Sequence, residues 1–98
     1  MLIDSHCHIP HEKYEIPTAR LLSEAKAEGV EKLISIGTSL EDNGKVVTVA
    51  KEYDDIFCTV GIYPHENLNV SIGELRDSLE VQINSLDKIV GIGECGLD

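Results

Sequence analysis

Few aromatics, few cations, no long apolar run and no matched cysteine pairs set the first bounds on this 98-residue chain. Aromatic residues make up 4% of it and tryptophan is absent. A core must therefore be built mainly from Val, Ile and Leu, which suits a buried parallel sheet. Eight Lys and Arg stand against eighteen Asp and Glu, a net charge of −10. That balance disfavours non-specific attraction to nucleic acid or to an anionic membrane, so a polyanionic substrate would need positive charge supplied locally by a bound metal. The three cysteines, Cys7, Cys58 and Cys95, cannot all pair within the chain and form no metal-type pair. A reduced setting is the simplest reading. No stretch approaches transmembrane length, and no basic segment precedes an apolar run at the N-terminus. We therefore expect a soluble, cytoplasmic protein with no membrane contact.

What is present is a regular alternation of strand and helix. The pattern predicts strands over about 2–8, 30–37, 55–63 and 88–94. The first helix is expected over 18–28, with Leu21, Leu22 and Ala25 on its buried face and Gly29 after its end. The second starts after Ser39, a good N-cap, with Leu40, Val47 and Ala50 as its apolar stripe. The third opens on the capping box Ser71-x-x-Glu74 and carries Leu75, Leu79, Ile83 and Leu86 at helical spacing. Strands that alternate with helices predict an α/β fold, a parallel βαβαβαβ unit.

The polar residues of interest cluster at the predicted C-terminal ends of strands, the edge where α/β folds bind ligands. His6 and His8 close the first strand as His-x-His. Side chains alternate along a strand, so both imidazoles project to one side. Together they make half of a metal site, or a polar pair at the start of a loop. Asp4 shares that face and either orients an imidazole or lines a wet sheet surface. Glu94 sits in Gly91-Ile92-Gly93-Glu94-Cys95-Gly96, near the end of the fourth strand. Its two oxygens can bridge cations; otherwise it is an exposed glutamate beside a turn. His65, after Tyr63-Pro64, binds substrate or orients water, or is a polar loop residue. His11 and Glu12 receive no role. Cys7 and Cys95 are read as small packing residues on the helix-facing side, and Glu41 and Asp42 as solvated charges.

Three blocks carry a resemblance. Leu2-Ile3-Asp4-Ser5-His6-Cys7-His8, then Gly61-Ile62-Tyr63-Pro64-His65, then Gly91 through Asp98 follow one another as in the TatD family of metal-dependent deoxyribonucleases. That family lies within the amidohydrolase-like (β/α)₈ barrels, and position 63 departs from it, with Tyr where it often has His. The resemblance implies that His6 and His8 hold one divalent cation and that Glu94 bridges it to a second. Zinc, manganese and magnesium all suit such ligands. It implies hydrolysis of phosphodiester bonds at DNA ends, with His65 near the substrate as a catalytic residue.

An eight-stranded barrel takes on the order of 250 residues. The chain therefore corresponds to the first half of a (β/α)₈ TIM-type barrel, residues 1–98 being a partial domain. Alone it is expected to bind metal weakly and to lack nuclease activity. Two other readings stand beside this one. Amidohydrolases that act on C–N bonds commonly use a modified Lys on the fourth strand, but Lys88 lies at the wrong end of that strand. A non-catalytic truncated product is the other, with possible self-association of two half-barrels.

Overall fold

A computed structural model describes residues 1–11, 14–64 and 71–96. The elements are β1 (Leu2–Cys7), α1 (Thr18–Ala27), β2 (Val30–Ile36), α2 (Leu40–Glu52), β3 (Ile56–Val60), α3 (Ile72–Ile83) and β4 (Ile89–Ile92). The four strands form one sheet in the order β1-β2-β3-β4, and every neighbouring pair is parallel. Sequential parallel strands joined through helices are the arrangement of the first half of a TIM-type barrel, as the alternation predicts.

The core lies where the sheet meets α2. Leu33, Ile56 and Cys58 from the strands pack with Val46, Val49 and Ala50 from the helix, and Ile9 joins them. The helix is well specified locally. Ser39 Oγ accepts from the Asp42 backbone N–H at 3.0 Å, and the Asp42 carboxylate accepts from Thr38 N and Thr38 Oγ1, both at 3.0 Å. Asp42 thus serves the positive end of α2, as its place three residues after the Ser39 cap suggests, and is engaged rather than a merely solvated charge. At the other end Lys88 Nζ donates to the carbonyls of Ala50 and Tyr53, placing a cation where the helix dipole is negative.

The predicted stripe of α2 needs correction. Its buried residues are Asn43, Val46, Val49 and Ala50, while Leu40 and Val47 are half-buried. Asn43 hides among apolar side chains because its amide is fully engaged, as described below. The strands are shorter than their apolar runs. β3 ends at Val60 and β4 at Ile92, because the chain turns at Gly61 and Gly93 to build the site edge. Leu86 lies beyond the end of α3 but still packs against the core. Ser71 caps α3 as expected, accepting from Glu74 N at 3.2 Å. Among the described residues, no helix is long and apolar enough to cross a membrane.

Candidate metal centre at the strand ends

β1 does not run straight to its end. Asp4 pairs with Leu33 and Cys7 with Ser35, so three steps on β1 oppose two on β2. Such a bulge re-aims side chains near a site. Asp4 sits at its start and accepts from the backbone N–H of His6 at 3.1 Å. It shapes the turn of the backbone, and its contact is with the main chain of His6 rather than with a ring. Beyond the bulge, Ser35 clamps the chain. Its fully buried hydroxyl donates to Ile9 O at 2.6 Å and accepts from Ile9 N at 2.9 Å. Cys7 faces the helices as expected and its thiol donates to Ile34 O at 3.4 Å. His8 is thus held between two anchored neighbours.

The ring of His8 is oriented in turn. Its Nδ1 lies 3.1 Å from the Ile36 carbonyl. A carbonyl only accepts, so Nδ1 carries the proton and Nε2 presents a lone pair. His8 Nε2 faces Glu94 Oε2 at 4.0 Å, and His6 Nε2 faces the same oxygen at 3.6 Å. The two rings meet edge to face with centroids 5.2 Å apart.

Glu94 reaches this point from the far side of the sheet. Its backbone N–H donates to Gly37 O at 2.9 Å, and Gly93 N donates to Val60 O at 2.9 Å. Thr59 Oγ1 donates to Gly93 O at 2.8 Å. The turn after β4 is therefore tied to the ends of β2 and β3. Gly61 makes the close approach possible: a Cβ there would lie 2.4 Å from the Gly93 carbonyl carbon and 2.6 Å from Glu94 O. Asn43 completes the support. Its Oδ1 accepts from Gly61 N at 3.2 Å and its Nδ2 donates to Gln82 Oε1 at 2.9 Å, while Gln82 Nε2 donates to Leu40 O at 2.9 Å.

One donor atom from each of His6, His8 and Glu94 lies within 4.8 Å of the other two. The imidazole–carboxylate separations are too long for hydrogen bonds. They are close to what ligands of one cation show: with bonds of about 2.0–2.1 Å, donors of a tetrahedral shell lie about 3.3 Å apart. Two imidazoles and a carboxylate, with the histidines half open to solvent, fit a divalent cation that keeps exposed positions for water or substrate.

His65 lies outside the described residues. Cys95 is exposed, contrary to the packing role expected of it, because β4 ends three residues earlier. Lys45 and Thr38 carry no signal in the sequence, and Tyr63 stands out there only as a departure from the family pattern. With Asp42 they line a cleft of about 410 Å³ that opens onto His8 and Glu94. Helical spacing alone places Lys45 on an exposed face, and only the position of α2 beside the strand ends gives it a place at the site.

Fold and donor set together define a class: parallel βα proteins that gather imidazoles and a carboxylate at the C-terminal edge of the sheet. Residues 3–98 match the model of the TatD related DNase family, and the chain belongs to that family. It is 31% identical over 98 residues to the uncharacterized metal-dependent hydrolase YabD of Bacillus subtilis, covering 100% of this chain and 38% of that protein. It is 28% identical over 100 residues to the 3'-5' ssDNA/RNA exonuclease TatD of Cronobacter sakazakii, covering 99% and 36%. It is also 30% identical over 99 residues to the uncharacterized metal-dependent hydrolase YjjV of Escherichia coli, covering 98% and 37%. The chain thus spans less than two-fifths of the length of these relatives.

Proposed function

We propose that the chain is the metal-binding first half of a metal-dependent hydrolase that cleaves phosphodiester bonds at DNA ends. The observation that carries this reading is the convergence of His6, His8 and Glu94 at one rim of the sheet. In this reading His6, His8 and Glu94 would hold a divalent cation, zinc, manganese or magnesium, and Glu94 would also serve a second cation. Such cations supply Lewis acidity toward the phosphoryl oxygens and a water that loses its proton near neutral pH. The residues supply the rest. Ile36 O keeps His8 in the tautomer that ligates, and Gly37 O keeps Glu94 facing the histidines. His65 is the proposed catalytic residue. The names of the Cronobacter and Bacillus relatives support nucleic acid as substrate and a metal requirement.

Hydrolysis of C–N bonds through a lysine ligand fits less well. Lys88 Nζ is engaged by the carbonyls of Ala50 and Tyr53, at the end of β4 remote from Glu94. A two-cation centre also needs more donors than these three, so the 98 residues alone should bind metal more weakly than micromolar and show little nuclease activity.

Calorimetric titration with Zn²⁺ checks the reading. The wild-type chain takes up the ion at one site, and H6A, H8A and E94Q each weaken binding by about tenfold or more. Affinities unchanged in all three variants would remove the case for a metal centre.

A further inference from the structure

The cleft beside the donor triad has a composition that the triad does not explain. Its described walls come from the β2–α2 turn (Thr38), the first turns of α2 (Asp42 and Lys45), the segment after β3 (Tyr63) and the loop after β1 (Pro10 and His11), and it also reaches Glu94 and His8. Among the described residues that line it, Lys45 is the one lysine or arginine, in a chain of net charge −10. Its ion pair among the described residues is loose: Glu41 Oε1 stands 3.7 Å from Nζ, on the same helix face, and both side chains are more than half exposed. Such a pair contributes little and yields readily to another anion. The Asp42 carboxylate in the same cleft is already committed, since its Oδ2 accepts two hydrogen bonds from Thr38. Tyr63 is fixed alongside by its backbone N–H, which donates to Thr38 O at 2.8 Å. A partly exposed aromatic ring and a cation thus stand in one cleft of about 410 Å³, large enough for a small organic ligand.

We propose that this cleft is a nucleotide subsite next to the hydrolytic centre, in which Lys45 pairs with a phosphate flanking the scissile bond and Tyr63 stacks on the adjoining base. The inference rests on the phosphodiesterase reading above and adds the residues that recognise the single strand. Phosphate pairing provides a salt-dependent, sequence-independent part of affinity, and stacking on a tyrosine provides a salt-independent part. The two contributions can therefore be separated by ionic strength.

The test uses fluorescence anisotropy of a 5'-fluorescein-labelled five-nucleotide oligothymidylate with the 98-residue chain, in saturating Zn²⁺ and in EDTA. K45A weakens binding about three- to tenfold in both conditions and lowers the slope of log affinity against log salt by about 0.7. K45R restores both. Y63L weakens binding about fivefold with the slope unchanged, and Y63F does not. Absence of oligonucleotide binding by the wild type, or K45A and Y63L indistinguishable from it, overturns the subsite. If instead Lys45 and Tyr63 behave as stated while Zn²⁺ adds nothing to binding and H6A and E94Q change nothing, the metal-centre reading fails and the subsite stands.

Discussion

At the residue scale, burial divides the three cysteines sharply. Burial, reinforced by the charge of Asp4, pushes the Cys7 thiol up to about 12. Burial also raises Cys58, to about 11, against the opposing pull of Lys88. Cys95 stands exposed beyond the end of β4. The thiolate is the reactive form, so the folded chain at pH 8 should expose a single fast-reacting thiol. Ellman titration should count one sulfur per chain quickly and three after unfolding, and C95S should abolish the fast phase. A fast phase that persists in C95S would contradict the burial of the other two. The same scale shows what sequence pattern could carry. The facing of His6 and His8 was legible from alternation, and so was the inward turn of Cys7. The bulge between Asp4 and Cys7 was not, since nothing in Ser5 announces an extra residue opposite β2. Ser35 was equally silent: inside an apolar run it reads as filler, yet its hydroxyl satisfies both backbone groups of Ile9.

At the element scale, the carboxylate of the site is positioned by α2 through intervening glycines. Asn43 on α2 holds Gly61, Gly61 leaves room for the Gly93–Glu94 backbone, and Gly37 accepts from Glu94. The glycines around Glu94 were visible as places of close approach. The helix that supports them was not, because a buried Asn looks polar in a pattern and falls outside the apolar stripe of α2. Gly61→Ala should therefore act on the site rather than on the fold. Its Cβ would overlap backbone atoms of Gly93 and Glu94, which must move. The expected result is Zn²⁺ affinity reduced by about tenfold or more with helical content by circular dichroism retained. Asn43→Ala would in addition leave the Gly61 N–H unpaired in a buried position, at a cost of about 1–3 kcal/mol measurable by urea denaturation. Zn²⁺ affinity in Gly61→Ala equal to the wild type would show that Glu94 is placed independently of this packing.

At the scale of the whole molecule, the two edges of the sheet do different work. The C-terminal edge gathers the donors and the cleft, while the N-terminal edge is stitched by charge. Asp55, just before β3, pairs with Lys26 of α1 at 2.5 Å and with Lys32 of β2 at 2.6 Å, so one carboxylate joins three segments. The hydrogen bonds from Lys26 and Lys32, with their charges, hold the Asp55 carboxyl well down, to about 2 against an ordinary 3.8. The sign follows directly. The unfolded chain takes up this proton first as pH falls, so the folded state gains from the ionised carboxylate above pH 3.8 and loses that gain as pH falls toward about 2. The group is partly exposed, so salt should shrink the effect. Urea midpoints of the wild type should therefore drop more steeply than those of Asp55→Asn between pH 4 and pH 2, and the difference should narrow in high salt. At neutral pH the variant should unfold earlier yet bind Zn²⁺ as the wild type does, because its charge lies at the edge away from His6, His8 and Glu94. Parallel pH profiles for the two chains would mean that Asp55 is not the clamp, and a loss of Zn²⁺ affinity in the variant would mean that the two edges are not separable.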